Sequence, residues 1–351
     1  MKYNHQLEPS KIYEAFTANI PDGFETVTVT ECDKKIPAFK TKFDLLLTAD
    51  KRLKKILSPL SFLIPKPRTM FVGTTVSEYS VYPEEITAHK ACDAIKDIFS
   101  ESKCSLLIAK DIPLNSPLLS ANENEFSKNL ISKFEENKFI IVQGEALAYV
   151  PVTFASVDEF MQKFSKSRKK DFRRKLKSLS EIEIDEVKTG DEFFTDKIID
   201  ELYALFLKVY NDSETHFDLL PLNFFKKVLK DNSLNGIVFI YRREDRIIAF
   251  NLCFIYNNYL VDKYIGLSYP ESHKYNIYFV SWFRNLEYCI KNGLSNYIAG
   301  WTDPKIKSYL GADFTYTYHA VYLKNPLLRM FLGKIKRLFE ADRKEIESAT
   351  K

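Results

Sequence analysis

Apolar positions in the first half of the chain follow the strand period and the helix period in turn. Alternating or continuous apolar runs predict strands, and i, i+3, i+4 spacing predicts helices. The predicted strands are Phe24–Cys32 and Ser105–Lys110, and the predicted helices are Ile86–Ser100 and Phe126–Asn137. Met70–Gly73 is a short apolar run that precedes a polar loop. Two further runs, Phe139–Gln143 and Ala146–Pro151, predict a hairpin.

The second half carries the strongest pattern. Gly236–Tyr241, Ile247–Tyr256 and Tyr259–Ser268 predict an antiparallel meander, with Asn257 and Asn258 in a tight turn. Apolar side chains then recur on one face of a predicted helix, namely Phe279, Trp282, Phe283, Leu286, Cys289 and Ile290. The elements predicted after Gly293 are a buried strand at Leu294–Gly300, a short helix at Ile306–Leu310 and a final strand at Thr315–Leu323. This alternation of strands and helices indicates the α/β class.

Composition narrows the function classes. The chain has 351 residues, enough for two domains, and only 10 glycines, which argues against a glycine-rich nucleotide loop. A net charge of +4 is too close to balance to indicate a DNA-binding protein. The five cysteines are widely spaced, so we expect neither disulfides nor a metal site. With no signal peptide and no long uncharged apolar run, we expect a cytoplasmic location.

The densest charge lies just after Ser156, which has the capping-box spacing to Glu159. Nine lysines and arginines and a single acid, Asp171, occupy residues 163–177. This density indicates an anionic partner, such as nucleotide phosphates, an RNA backbone or an anionic lipid surface. A solvated helix face is the alternative.

The order of meander, loop, helix, strand, short helix and strand resembles the core of the GNAT acyltransferases. In that family the loop and helix start after the third strand hold the cofactor pyrophosphate, because free N–H groups at a helix start bind anions. The corresponding loop here, residues 269–276, contains no glycine. Together with the basic helix, Tyr264-Ile265-Gly266-Leu267 and the Lys307–Gly311 spacing, this resembles the FemAB-like branch, the peptidoglycan biosynthesis and recognition proteins.

The resemblance implies tandem GNAT-like halves, each a mixed, mostly antiparallel sheet flanked by helices. The first half would span residues 1–153, the acyltransferase half residues 154–325, and a basic C-terminal helix or tail residues 326–351. It implies transfer of an acyl group from acyl-CoA (acetyl-CoA), or of an aminoacyl group from aminoacyl-tRNA, to an amine. The acceptor would be a small-molecule amine or a cell-wall or natural-product precursor.

Candidate site residues follow from these roles. Transfer to an amine needs proton removal and stabilisation of an oxyanion, for which the candidates are Asp262, His319 and Tyr264. The candidates for holding the donor are Ser268, Ser272, His273, Lys274, Arg168, Arg173 and Arg174. The candidates for substrate contact are Trp301, Asp303 and Lys307. For each of these residues a structural role is the alternative.

Two other hypotheses compete with an enzyme. The glycine-free loop also fits a non-catalytic ligand-binding protein on a degenerate GNAT scaffold. Lys51–Arg68 and Leu327–Phe339 mix basic and apolar residues, which is typical of peripheral membrane association or of a helix packed on the domain.

Overall fold

The computed structural model describes residues 2–31, 33–45, 66–213 and 216–336. The strands, numbered in chain order, are β1 (Tyr3–Asn4), β2 (Glu25–Glu31), β3 (Lys34–Lys42), β4 (Arg68–Val72), β5 (Tyr82–Pro83), β6 (Leu106–Pro113), β7 (Ile140–Pro151), β8 (Glu183–Lys188), β9 (Gly236–Arg243), β10 (Arg246–Tyr256), β11 (Tyr259–Leu267), β12 (Asn296–Gly300) and β13 (Asp313–Leu323). The helices are α1 (Lys11–Ala18), α2 (Ala88–Glu101), α3 (Ala121–Glu136), α4 (Val157–Gln162), α5 (Lys166–Leu176), α6 (Asp196–Asp212), α7 (Leu222–Leu229), α8 (Glu271–Lys274), α9 (Ile277–Lys291), α10 (Pro304–Tyr309) and α11 (Pro326–Ile335).

The chain divides into two units. Unit 1 comprises Met1–Ala148 together with Trp301–Lys351, and unit 2 comprises Tyr149–Gly300. The predicted boundary at residues 153 and 154 is close to the observed one, but residues 301–325 were predicted with the second half and lie in unit 1. The physical reason is strand pairing: β13 forms an antiparallel ladder with β6, from Thr317 opposite Pro113 to Leu323 opposite Leu106.

Unit 1 is built on the strand order β2-β3-β4-β6-β13-β7. The first three strands are antiparallel neighbours, and β6 lies parallel to β4 after the crossover helix α2. Thr87 caps α2, and Ser120 and Glu123 form a capping box at α3. Apolar side chains of α2 and α3, such as Ile95 and Phe134, bury Met70 and Leu107 of the sheet in one core.

The predicted hairpin at Phe139–Pro151 is wrong, because β7 runs through it as one continuous strand. Gly144 lies between the two predicted strands, and its φ is not positive. Its backbone instead passes close to two side chains of β13. An added Cβ at Gly144 would lie 2.7 Å from both His319 Nε2 and Thr317 Oγ1. A close approach, rather than a turn, therefore explains the glycine.

Unit 2 is built on the order β12-β11-β10-β9-β8. β9, β10 and β11 form the predicted meander, and Asn257 and Asn258 turn it with φ values of 46° and 65°. β12 lies parallel to β11 after the crossover helix α9. Unit 2 thus repeats the order of unit 1: three antiparallel strands, a helix and a parallel strand. Each unit is a mixed, mostly antiparallel sheet flanked by helices, as predicted.

The two faces of the unit 2 sheet carry different helices. On one face, Tyr288 of α9 packs edge-on against Phe239 of β9, with ring centroids 5.5 Å apart. On the other face, Phe206 of α6 and Phe225 of α7 pack against Tyr264 of β11.

No helix among the described residues is long and apolar enough to cross a membrane. Of the two basic and apolar stretches, residues 51–65 and 337–339 lie outside the described residues.

Candidate functional site

The parallel ladder between β11 and β12 is short. It pairs Tyr259 with Asn296, Leu260 with Tyr297 and Val261 with Ile298. Beyond these pairs β11 continues to Leu267 beside β10, whereas β12 ends at Gly300. Asp262 is the first residue past the end of this ladder.

A β-bulge determines where Asp262 points. Asp262 lies opposite Cys253 of β10, but Leu252 lies opposite Tyr264, so Lys263 is the extra residue. One extra residue reverses the alternation of side chains along a strand. Asp262 and Tyr264, which a regular strand would place on one face, therefore face opposite sides of the sheet.

The Asp262 carboxylate accepts hydrogen bonds from three side chains on three other elements. Asn251 Nδ2 of β10 donates to Oδ1 over 2.6 Å. Asn285 Nδ2 of α9 and the Tyr297 hydroxyl of β12 donate to Oδ2 over 3.0 and 2.9 Å. Asn251, Asn285 and Tyr297 are themselves buried, while Asp262 is half-buried. We call these four residues the Asp262 cluster. Bonds from fixed, buried donors hold the carboxylate in one position.

The negative charge of Asp262 affects its neighbours. Burial, and secondly the Asp262 charge, raise the pKa of the Tyr297 hydroxyl well above its usual range. The same two causes raise the pKa of the Cys253 thiol. At neutral pH, Tyr297 therefore keeps its proton and acts as a hydrogen-bond donor, and Cys253 remains an unreactive thiol. The Asp262 carboxylate is the group of the Asp262 cluster that can accept a proton.

Trp282 adds an unusual feature beside the cluster. Its ring packs edge-on against Tyr297 with centroids 5.0 Å apart. Its indole Nε1 is buried and has no hydrogen-bond partner among the residues that the structure describes. Buried donors of this kind are normally satisfied, so a polar ligand group or a water is expected near it.

Sequence reasoning identified Asp262 but missed the three side chains that hold it. A signal existed for two of them. Asn251 interrupts an apolar strand, and Asn285 lies on the apolar face of α9, three residues after Trp282 and four before Cys289. An amide at a position that the period assigns to the core needs buried partners.

Tyr264 lies away from the Asp262 cluster. Its ring contacts Phe206, Phe224 and Phe225, at centroid distances of 5.4 to 6.1 Å. The bulge at Lys263 separates it from Asp262, so the structure does not bring these two candidates together.

The predicted donor loop joins β11 to α9. Ser268 donates to Glu271 over 3.2 Å, and Glu271 is also paired with Arg246. His273 stacks on Tyr269, with ring centroids 4.9 Å apart. Ser272 is buried, and its hydroxyl has no partner in the described part of the chain. The loop therefore places one acid and one buried hydroxyl where the resemblance predicts a phosphate.

Two basic side chains, Lys274 and Arg243, lie at the end of this loop. Lys274 and, secondly, Arg243 lower the pKa of the Tyr275 hydroxyl, and the contact with Tyr275 raises the pKa of Lys274. Arg243 Nε lies 3.3 Å from that hydroxyl. Two cations thus flank Tyr275 just before α9 begins.

The basic helix α5 packs against α9. Phe172 contacts the ring of Phe283 with centroids 5.3 Å apart, and Lys175 Nζ lies 3.5 Å from the centroid of Phe279. Ser178, just after α5, donates to the Tyr275 carbonyl over 2.5 Å. The helix is therefore anchored by its apolar face beside the donor loop.

The predicted arginines of α5 lie on its outer side. Arg173 and Arg174 are largely exposed, with Arg174 paired to Asp171 at 2.6 Å and Arg173 3.9 Å from Asp158. Arg168 lies 5.3 Å from the ring of Phe164. Exposed pairs of this kind add little stability, so these charges remain accessible to an anionic partner.

His319 lies in unit 1, opposite a second bulge at Lys110 and Asp111 of β6. Its Nδ1 accepts a hydrogen bond from the Asp111 N–H over 3.0 Å. Burial lowers the pKa of the ring, although the nearby Asp111 carboxylate opposes this. The imidazole is therefore neutral at pH 7, with its proton on Nε2.

The three substrate candidates follow β12 in unit 1. Trp301 is half-buried and Asp303 is exposed, with a left-handed φ of 46° at the start of α10. Lys307 is buried, and its Nζ donates to the Trp301 carbonyl. Lys307 thus fixes the turn after β12, and Asp303 is the one of the three exposed to a ligand in solution.

Comparison with known proteins yields one family and a set of structures. The profile of the FemAB-like family, described as peptidoglycan biosynthesis/recognition, matches residues 105–351. No curated protein matches the sequence.

Three solved structures share the fold at low identity. The C-terminal domain of a lysylphosphatidylglycerol synthetase from Agrobacterium fabrum has a TM-score of 0.53 and 12% identity over 93% of this chain and 96% of that one. L-PGS from Bacillus licheniformis has a TM-score of 0.57 and 10% identity over 97% and 99%. FemX has a TM-score of 0.54 and 10% identity over 93% and 94%.

Identity this low establishes the shared fold and nothing further about activity. The family profile, in contrast, covers well over half of the chain, including all of unit 2. The tandem order of strands and helices agrees with it. The chain therefore belongs to the FemAB-like peptidoglycan biosynthesis/recognition family.

Proposed function

We propose that the protein transfers an aminoacyl group from aminoacyl-tRNA to an amine, at the Asp262 cluster of unit 2. The observation that carries the proposal is the half-buried Asp262 carboxylate, fixed by Asn251, Asn285 and Tyr297 directly past the last β11–β12 pair. A carboxylate held in place by fixed donors can bind a neutral amine and take its proton.

The proposed reaction balances as follows. The amine nitrogen of the acceptor gives up a proton to Asp262 and attacks the carbonyl carbon of the aminoacyl ester. A new amide bond forms, the ester C–O bond breaks, and the proton passes from Asp262 to the leaving hydroxyl of the tRNA. Neither an oxidant nor a reductant is needed.

The surroundings of the loop favour tRNA over acyl-CoA as the donor. Residues 269–276 contain no glycine, and Glu271 would face a pyrophosphate bound there. The exposed Arg173 and Arg174 of α5 offer instead an open basic surface, which suits the extended phosphate backbone of RNA. The family description, peptidoglycan biosynthesis/recognition, supports a cell-wall precursor amine as the class from which the acceptor comes.

A donor panel tests this proposal. The intact protein is incubated with radiolabelled aminoacyl-tRNA or acetyl-CoA and a set of amine acceptors, and label transfer is counted. We expect transfer from aminoacyl-tRNA. Exclusive transfer from acetyl-CoA would overturn the choice of donor. Absence of transfer from both donors would overturn the proposal that the protein is a transferase.

Charge removal on α5 sharpens the donor assignment. Arg173→Gln with Arg174→Gln should weaken tRNA binding and lower the slope of log affinity against log salt by about one per arginine. Lys188→Gln with Lys197→Gln removes the same charge from another exposed part of unit 2 and serves as the control. Equal losses for the two pairs would show that net charge, rather than α5, attracts the tRNA.

The second candidate function is ligand binding without catalysis. The buried, unpartnered Ser272 hydroxyl and the Glu271–Arg246 pair in the loop favour it, because both occupy the position of the phosphate contacts. Binding of a donor without any transfer, in the presence of every acceptor tested, would support this candidate.

A further inference from the structure

The C-terminal helix α11 has its apolar and basic sides reversed with respect to an ordinary surface helix. A helix that packs on a domain normally turns its apolar side chains inward and its charges outward. In α11 no residue is buried. Four large apolar side chains are exposed: Leu327 at 71%, Leu328 at 54%, Met330 at 61% and Phe331 at 59%. We call these four the α11 apolar face.

Long basic side chains of the same segment point inward. Arg329 donates to the Leu323 carbonyl over 3.0 Å, and its guanidinium lies 4.3 Å from the ring centroid of Tyr322. Lys336 donates to the Ile141 carbonyl over 3.2 Å. These contacts fix the rotation of the helix about its axis. The apolar face is therefore held outward by specific bonds.

The exposure of this face stands out in the molecule. The other exposed large apolar side chains of the described residues, Leu179, Leu219 and Ile306, are isolated and lie between 38% and 40%. Scattered residues of that kind need no explanation, whereas a contiguous apolar face indicates a binding surface.

The charge around the face indicates its partner. From Lys324 to Phe339 the sequence contains lysines and arginines but no aspartate or glutamate. The exposed Lys334 lies on the outward side with the apolar residues, where its long stem can extend along them. An apolar helix face in a segment whose charged residues are all basic is complementary to an anionic lipid surface, in which the apolar side chains enter the acyl boundary and the cations meet the headgroups.

We propose that α11 docks the protein on an anionic membrane surface through Leu327, Leu328, Met330 and Phe331. The apolar face enters the headgroup region, and Lys334 contacts the phosphates. The helix lies in the plane of the surface and does not cross it. This inference goes beyond the proposed transfer reaction and does not depend on it.

Vesicle flotation of the full chain tests the proposal. Vesicles of phosphatidylcholine with phosphatidylglycerol should retain the protein, vesicles of phosphatidylcholine alone should retain far less, and high salt should weaken the binding. The variant with Leu327, Leu328, Met330 and Phe331 all changed to Ser should bind at least about tenfold more weakly. None of these side chains is buried, so the variant should keep its melting temperature within a few degrees.

The matched control changes Leu179 and Leu219, two exposed leucines of unit 2, to Ser, and should bind like the parent protein. Loss of binding in the control, or equal retention by neutral vesicles, would overturn the proposal. Light scattering after size exclusion tests the alternative that the α11 apolar face binds a second copy of the chain. If the parent protein is a dimer that does not bind vesicles, and the four α11 changes dissociate this dimer, the membrane proposal is overturned in favour of that alternative.

Discussion

The segments β4–α2–β6 of unit 1 and β11–α9–β12 of unit 2 have the same topology, but they differ in where the parallel ladder ends along its first strand. In unit 1 the parallel ladder runs from Thr69 to Val72, the last residue of β4, and the β3–β4 register has no shift. In unit 2 the ladder stops at Val261, and β11 contains a bulge at the next residues. The strand that stays fully paired is apolar, and the strand that leaves its partner early carries Asp262.

This difference teaches how a repeated fold can confine chemistry to one copy. A fully paired parallel strand has apolar residues on both sides and leaves no room for a ligand. In unit 2, the short ladder and the bulge that follows it direct the Asp262 carboxylate towards three side-chain donors. This comparison is the reason that we place the proposed chemistry in unit 2.

The largest expected effect is on the transfer rate, when substitution of Asp262 is compared with substitution of His319, the catalytic candidate in unit 1. Asp262→Asn should lower the transfer rate by about 10²- to 10⁴-fold, because it removes the proton acceptor. His319→Asn should cost less than about tenfold. Single-turnover rates with saturating donor would measure both.

The control for these rates is Asp245→Asn, an exposed carboxylate in the β9–β10 turn, which should leave the rate unchanged. Thermal melts identify a variant that fails to fold, and in that case Asp262→Ser, which lacks the carboxylate and is smaller, replaces it. A larger loss in His319→Asn than in Asp262→Asn would reverse the assignment of the units.

The second prediction is that acid lowers the free energy of unfolding, and that it does so through unit 1. His5 is fully buried, and burial lowers its pKa to about 4, although contacts with Ser80 and Glu123 oppose this. The unfolded chain takes up the proton near pH 6.5 and the folded chain only near pH 4, so the stabilisation is complete above pH 6.5 and is lost as the pH falls towards 4. The loss should be about 3 kcal/mol.

Urea denaturation between pH 7 and pH 4 measures this loss. His5→Gln should flatten the dependence, and the exposed His273→Gln should not change it. Hydrogen exchange on the intact chain should show unit 1 losing protection first. Earlier loss in unit 2 would contradict the prediction.

The smallest effects come from two glycines, one in each unit. Gly266→Ala should destabilise the protein by about 1–3 kcal/mol, because the new Cβ would meet the Phe250 ring and would lie 2.8 Å from Leu205 Cβ of α6. Gly144→Ala would place its Cβ 2.7 Å from His319 Nε2 and Thr317 Oγ1, which are longer approaches than those to the Phe250 ring, so it should cost less than Gly266→Ala. Thermal melts give both values. The reverse order would show that the strand at Gly144 is the more tightly packed one.

Much of unit 2 could be predicted from the sequence because its signals are local. The meander follows from strand alternation and from the Asn257-Asn258 turn, and α9 follows from one apolar stripe that ends near Gly293. The family resemblance rested on this order and was confirmed. Asp262 was identified because a carboxylate in an apolar strand is conspicuous.

The rest depended on contacts between residues distant in sequence. The partners of Asp262 come from positions 251, 285 and 297, and nothing local to Asp262 indicates them. The bulge that separates Asp262 from Tyr264 is a property of the ladder with β10, which a single strand does not encode. The predicted hairpin at Phe139–Pro151 was wrong because the close approach of β7 to the His319 and Thr317 side chains at Gly144 is a contact with a distant segment.

By itself, the sequence determined the α/β class, most element bounds, the basic helix and the candidate carboxylate, since periodicity and charge are read within one segment. The tertiary structure decided which unit the last strand joins, which face each candidate side chain occupies and which way α11 turns its apolar residues. Those outcomes depend on pairing and packing between segments far apart in the chain, where each segment alone is compatible with more than one arrangement.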